Sequence, residues 1–178
     1  MLLWLEVATS NNNPEIIGYY YMKTIKRLKF LPNCIRADRG TENTLVMDLQ
    51  QALRSFHNDD YCGEKSFLLG KSTHNQRIES FWRQLRRLMV TFYMDLFKNM
   101  EDQGILDVKN ELHIKCLRYS FGHLIQEDLY TVMQEWNEHK IRSQNSKNIN
   151  AGKPNIIFEW PERFGGVDCR KSVQEKHI

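Results

Sequence analysis

Over its first seventy residues the chain alternates short β-prone runs with amphipathic helical ones, and that alternation constrains the fold more than any other feature. Leu2-Leu-Trp-Leu-Glu-Val-Ala8 reads as a strand bounded by the loop-forming Thr9-Ser-Asn-Asn-Asn13. Asn13-Pro14-Glu15 then opens a helix: Asn caps free N–H groups, Pro suits the first turn, and Glu opposes the dipole. Ile16, Ile17, Tyr20, Tyr21, Ile25 and Leu28 follow at helical spacing, and Lys23, Lys26, Arg27 and Lys29 fill the closing turns. Pro32 breaks this helix, and Cys34–Asp38 reads as a short strand ending at Gly40. A second helix begins at Thr41 and Glu42, with Val46, Leu49, Leu53 and Phe56 on one face. Residues 58–72 read as loop around a short strand at 66–69. Strands separated by helices imply an α/β sheet packed by helices.

The rest of the chain reads as helical. From Ser72 or Thr73 to about residue 99, Ile78, Trp82, Leu85, Met89 and Phe92 form an apolar stripe, and Phe81, Trp82 and Phe92 are expected in the core. After a turn at Gly104, residues 111–140 are helical again, with Gly122 a point of possible division into two helices. From about residue 143 the chain is polar and reads as an extended tail.

The 178 residues carry a net charge of +3, too weak to argue for a nucleic-acid partner by itself. Its distribution says more. Between Lys71 and Lys98 stand six basic residues (Lys71, Arg77, Arg83, Arg86, Arg87, Lys98) against Glu79 and Asp95, a local excess of four positive charges. The four cysteines are scattered without a Cys-x-x-Cys pair, so reduced, mostly buried thiols are expected rather than zinc or disulfides. The apolar opening run stops at Glu6, too short for a signal-peptide core or a membrane span. A nuclear or cytoplasmic location is the expectation, with no membrane partner and no small-molecule substrate.

Two segments carry candidate chemistry. Arg36-Ala-Asp38-Arg-Gly40-Thr-Glu42-Asn43 puts a carboxylate at a strand's C-terminal end, the edge where open α/β sheets bind ligands. His74-Asn-Gln76-Arg-Ile-Glu79-Ser-Phe-Trp-Arg83 puts Glu79 on a helix, with Gln76, Glu79, Arg83 and Arg86 along one stripe. Carboxylates of this kind suit phosphoryl transfer, in which hard oxygen ligands hold divalent cations and nearby Arg and Lys grip phosphates. Each has a plainer reading beside it. Asp-x-Gly is a common turn, and Glu79 is placed to pair with Arg83 at i+4. Arg83, Arg86 and Arg87 also suit a solvated helix face. Gly70-Lys71-Ser72-Thr73 lacks the earlier glycine of a phosphate loop, since Lys65 stands there. The histidines show no paired ligand spacing, and exposed or satisfied side chains are expected.

Asp38-Arg-Gly-Thr-Glu-Asn43 followed by Asn75-Gln-Arg-Ile-Glu-Ser-Phe-Trp82 resembles the integrase catalytic core of retroviral and transposon type, and within it the eukaryotic integrase core domain-containing group. Trp4-Leu-Glu-Val7, Trp136-Asn-Glu-His139 and Gly152-Lys-Pro-Asn155 with Trp160-Pro-Glu162 extend the resemblance to roughly residues 3–166. It implies an RNase H-like mixed α/β sheet with flanking helices, N-terminally truncated, plus C-terminal helices. Residues 1–100 would be the partial catalytic core, 101–142 a helical extension packed on it, and 143–178 an extended tail. The resemblance makes Asp38 the second catalytic carboxylate and metal ligand and Glu79 the third, 41 positions later. The first Asp and the family's zinc-binding region fall outside this chain. It further implies Mg²⁺ or Mn²⁺ as cofactor, DNA as partner, homo-oligomerisation, and DNA contacts from Lys71, Gln76, Arg83, Arg86 and Arg87. Lacking one carboxylate, the chain is expected to be inactive in strand transfer; a non-catalytic module binding nucleic acid or protein is the alternative expectation.

Overall fold

The computed structural model describes residues 1–70, 76–142 and 151–173. Its elements are mixed α/β, with small sheets and mostly helix. The chain divides into two compact units. One, the α/β unit, comprises Ala8–Gln76 and Lys140–Ile178; the other, the helical unit, comprises Met1–Val7 and Arg77–His139.

In the α/β unit, helix α1 (Pro14–Leu28) starts as its sequence dictates, with Asn13 Oδ1 accepting the Glu15 N–H over 2.8 Å. It ends at Lys29, whose backbone is left-handed at φ 59° and whose N–H donates to Ile25 O. Glycine usually takes that position, because a side chain there costs about 1 kcal/mol. The turn leads into β1 (Phe30–Pro32). Next come β2 (Ile35–Ala37), α2 (Thr44–Arg54) and β3 (Phe67–Leu69). Strands β2 and β3 pair in parallel, Ile35 opposite Phe67 and Ala37 opposite Leu69, with α2 as the crossover between them.

The stretch expected as an extended tail forms helix α6 (Pro154–Glu159) and strand β4 (Arg170–Ser172). Strand β4 pairs antiparallel with β1, Leu31 opposite Lys171. Arg-Lys-Ser has no β-prone composition; only pairing with an apolar strand remote in sequence makes it a strand.

Tyr21, Ile25, Leu31, Val46, Leu53 and Phe67 form the buried apolar set of this unit. Helices α1 and α2 approach closely at Gly18, where an added Cβ would lie 2.6 Å from Leu45 Cδ2. Gln50 is fully buried and satisfied: its Oε1 accepts the Tyr21 hydroxyl and its Nε2 donates to Pro32 O over 2.9 Å. Phe56, expected on the apolar face of α2, is 64% exposed, because the helix stops at Arg54 and its periodicity no longer applies. Arg54 itself is fully buried and pairs with Asp59 at 2.6 Å.

In the helical unit, α3 (Gln76–Leu85) passes through a π-helical segment, Arg86–Val90, into α4 (Thr91–Asp102). Phe81, Leu85, Met89 and Tyr93 are the buried row of this long helix. Trp82 and Phe92, expected in the core, are 51% and 63% exposed. A row repeating every fourth residue drifts around an ordinary helix of 3.6 residues per turn; the wider π turn holds it on one face. The row packs against Leu129 and Val132 of α5 (Glu111–Glu138), which runs unbroken through Gly122.

Residues 2–8 do not form the expected strand. Side-chain amides of α5 take the place of a neighbouring strand. Asn137 accepts from Leu2 N at 2.7 Å and donates to Leu2 O at 2.9 Å, while Gln126 accepts from Val7 N and donates to Leu5 O. These bonds meet the backbone's need for partners without a ladder, so Leu5 can join the core.

Candidate functional site

The βαβ arrangement of the α/β unit places Asp38 one residue beyond β2, at the C-terminal end of the parallel pair. Asp38 is half-buried. Its Oδ1 accepts the Asn43 side-chain amide at 3.0 Å and lies 3.4 Å from Gly40 N. The same Asn43 Nδ2 donates to Glu42 Oε1 at 2.9 Å. One amide therefore bridges two carboxylates, and its partial positive charge offsets their repulsion. Glu42 folds back over Gly40, where an added Cβ would come 2.1 Å from Glu42 Oε1. A larger residue at 40 would push the flexible Glu42 carboxylate away and open the bridge.

Glu42 is the residue the sequence reading left out of the site, having assigned it to the start of a helix. The first turn is instead a 3₁₀ segment, Thr41–Asn43, and α2 begins only at Thr44. The signal available was Asp-x-x-x-Glu-Asn, two carboxylates with an amide donor next to the second.

Glu79 stands in the first turn of α3 and is exposed, as are Arg83, Arg86 and Arg87. Glu79 and Arg83 form no ion pair among the described residues, so the plain i+4 reading of Glu79 is not what the structure contains. Arg87 Nη2 donates to Gln84 Oε1 at 2.9 Å. Asp38 belongs to the α/β unit and Glu79 to the helical unit. Gln76 is the first residue of α3, and Lys71 lies outside the described residues.

The donor chemistry at Asp38 suits a hard divalent cation: its Oδ2 has no hydrogen-bond partner among the described residues, and Glu42 supplies further oxygen. Among the described residues no group of three or more His, Cys, Asp or Glu side chains converges as a metal site would. The histidines hold local bonds, His57 Nε2 to Ser172 O at 2.8 Å and His113 Nδ1 accepting Asp107 N at 3.0 Å. All four cysteines are free, but none is buried as expected: Cys34 and Cys62 are half-buried, Cys116 and Cys169 exposed. Burial pushes the Cys34 thiol up, which makes it a poor nucleophile. No helix among the described residues is long and apolar enough to cross a membrane.

Comparison with curated proteins and with solved structures finds no match to this chain. A family model described as integrase core domain matches residues 1–153, which takes in β1 to β3 and the whole run from α3 to α5. By that match, over most of its length, the chain belongs to the integrase core domain family.

Proposed function

We propose that the chain is a DNA-binding, RNase H-like integrase core in which Asp38 and Glu79 are two of the acidic positions of the metal site and the basic face running from α3 into its π segment holds DNA. The observation that carries this reading is the exposure of Arg83, Arg86 and Arg87 on the helix that bears Glu79, in a chain of the integrase core family. Exposed guanidinium groups neutralise phosphates and release counterions, giving binding that weakens steeply with salt. Lys71 and Gln76 would extend the same contact surface. Divalent Mg²⁺ or Mn²⁺, when bound, would stabilise the attacking and leaving oxygens of a phosphodiester displacement. The chain's own part is to supply oxygen ligands from Asp38 and Glu79, with Asn43 holding the Asp38 carboxylate in one orientation.

The inactive reading is that Asp38 and Glu79, as two carboxylates alone, hold a divalent ion too loosely to join DNA strands. The test is salt-dependent binding to duplex DNA with Arg83, Arg86 and Arg87 replaced by Gln. Loss of three phosphate contacts should reduce the slope of log K against log salt by about 2.7. A slope unchanged by the triple replacement would refute DNA binding through this face. Metal-dependent joining of DNA ends, abolished by Asp38→Asn, would refute the inactive reading.

A second reading, a protein-interaction or self-association module, is favoured by α5, where Leu112 and Tyr119 are 65% and 89% exposed. Sedimentation of the chain alone tests it, with a concentration-dependent mass that Tyr119→Lys abolishes as the supporting result.

A further inference from the structure

The exposed face of α1 combines charge and aromatic surface in a pattern that its role in the fold does not require. Between Glu15 and Asp38 the chain has five basic residues and no acidic one. Tyr19, Lys23 and Lys26 are exposed and follow each other at helical spacing on one face. Neither Lys23 nor Lys26 has a carboxylate partner among the described residues. Cations in the last turn do offset the helix dipole, but Lys23 lies a turn earlier. Lys29 adds a second observation: it is the only non-glycine residue with positive φ among those described, whereas the left-handed positions 63, 104 and 165 are all glycine.

The aromatic half of the pattern lies beside the charges. The Tyr19 and Tyr20 rings meet edge to face at 5.4 Å, and Lys23 Nζ lies 5.7 Å from the centre of the Tyr20 ring. Tyr19 is 62% exposed. Both tyrosines line a shallow groove of about 350 Å³ with Ala8, Thr9, Glu15 and Ile16. An exposed Tyr19 ring, continued by Lys23 and Lys26, neither of them ion-paired among the described residues, matches what holds an unpaired base and the phosphates that follow it. Duplex DNA keeps its bases stacked inside and would use the lysines but not the rings.

We infer that α1 is a single-stranded nucleic-acid binding surface, with a base stacked on the exposed Tyr19 ring at the groove and adjoining phosphates held by Lys23 and Lys26. This surface belongs to the α/β unit, whereas Arg83, Arg86 and Arg87 belong to the helical unit.

Fluorescence anisotropy with the full chain tests it, using labelled oligo(dT), oligo(U) and a duplex of equal length. Tyr19→Ala should weaken binding of the single strands by roughly five- to a hundredfold while changing duplex binding less than about twofold. Tyr19→Phe, which keeps the ring, should bind as the parent does. Lys23→Gln with Lys26→Gln should lower the single-strand salt slope by about 1.4, two contacts' worth. The replacements of Arg83, Arg86 and Arg87 should spare the single strands, which separates this surface from the duplex reading. Equal loss of oligo(dT) and oligo(U) supports recognition of the shared backbone and base face; loss of one alone supports the same surface with a sugar preference. Single-strand affinity untouched by both α1 variants, or lost on replacing Arg83, Arg86 and Arg87 instead, overturns the inference. Thermal melts by circular dichroism, expected to be unchanged at these exposed positions, guard against reading misfolding as lost contact.

Discussion

The Asn43 side-chain amide donates to Asp38 Oδ1 over 3.0 Å, and that bond orients the carboxylate that follows β2. Because the same nitrogen also serves Glu42, Asn43 is what lets two acids occupy one turn. Asn43→Ala should therefore lower stability by about 1 kcal/mol, below the roughly 1.5–3 kcal/mol of hydrogen bonds to charged groups because the turn is partly exposed. Urea denaturation at neutral pH measures this, and a midpoint equal to the parent's would show that the bridge contributes nothing. Adding salt should recover part of the loss in the variant, since screening weakens the exposed repulsion.

Asp59 makes stability depend on pH in the acid range. The hydrogen bond from Arg54 holds its carboxyl well below the usual carboxylate range. A carboxyl lowered by folding contributes stability above its unfolded value, near pH 4, and that contribution is lost as pH falls towards the folded value. Asp59→Asn should thus destabilise the chain at pH 7 and flatten the decline below pH 4. It would leave the fully buried Arg54 guanidinium without its charge partner, with Nε and Nη1 already unpartnered among the described residues. Urea midpoints at pH 7, 4 and 3 decide it; parallel acid curves for parent and variant would assign the effect elsewhere. Asp168, held at about pH 2 by Arg170, adds to the same acid-side loss in the parent and in the variant alike.

Neighbouring aromatic residues on α3 should differ sharply in their cost of removal. Phe81 is 2% exposed and meets the Trp136 ring at 4.9 Å, whereas Trp82 is 51% exposed. Phe81→Ala should cost about 3–5 kcal/mol, the range for emptying a core aromatic site. Trp82→Ala should cost about 1 kcal/mol or less, as half-exposed positions do. Denaturant midpoints compare them directly, and equal costs would contradict the register given to α3 and its π segment.

The elements legible in the sequence were those with strong local chemistry. Asn13-Pro14-Glu15 announced α1, Gly104 its turn, and the apolar spacing from Glu111 onward a long helix, each within a residue or two of its place. What went unread depended on partners distant in the chain. The run Leu2–Ala8 has strand composition, yet its backbone groups are met by Asn137 and Gln126, more than a hundred positions away. Strand β4 was illegible for the converse reason, since only β1 makes Arg-Lys-Ser a strand. From α3 into α4, Ile78, Trp82, Leu85, Met89 and Phe92 fit an ordinary helical stripe as well as Phe81, Leu85, Met89 and Tyr93 fit a π-adjusted one. Period alone does not distinguish them.

By itself, the sequence placed a carboxylate after a strand in Asp38 and another on a basic helix in Glu79, and it carries the match to the integrase core domain family. Only the tertiary structure decided that Glu42 and Asn43 complete the Asp38 turn, that Trp82 faces solvent while Phe81 is buried, and that α1 presents Tyr19 beside Lys23. The reason is physical. Residue type and spacing set local backbone preference, which acts within a few positions, whereas burial and side-chain partnership depend on which surfaces the folded chain brings together.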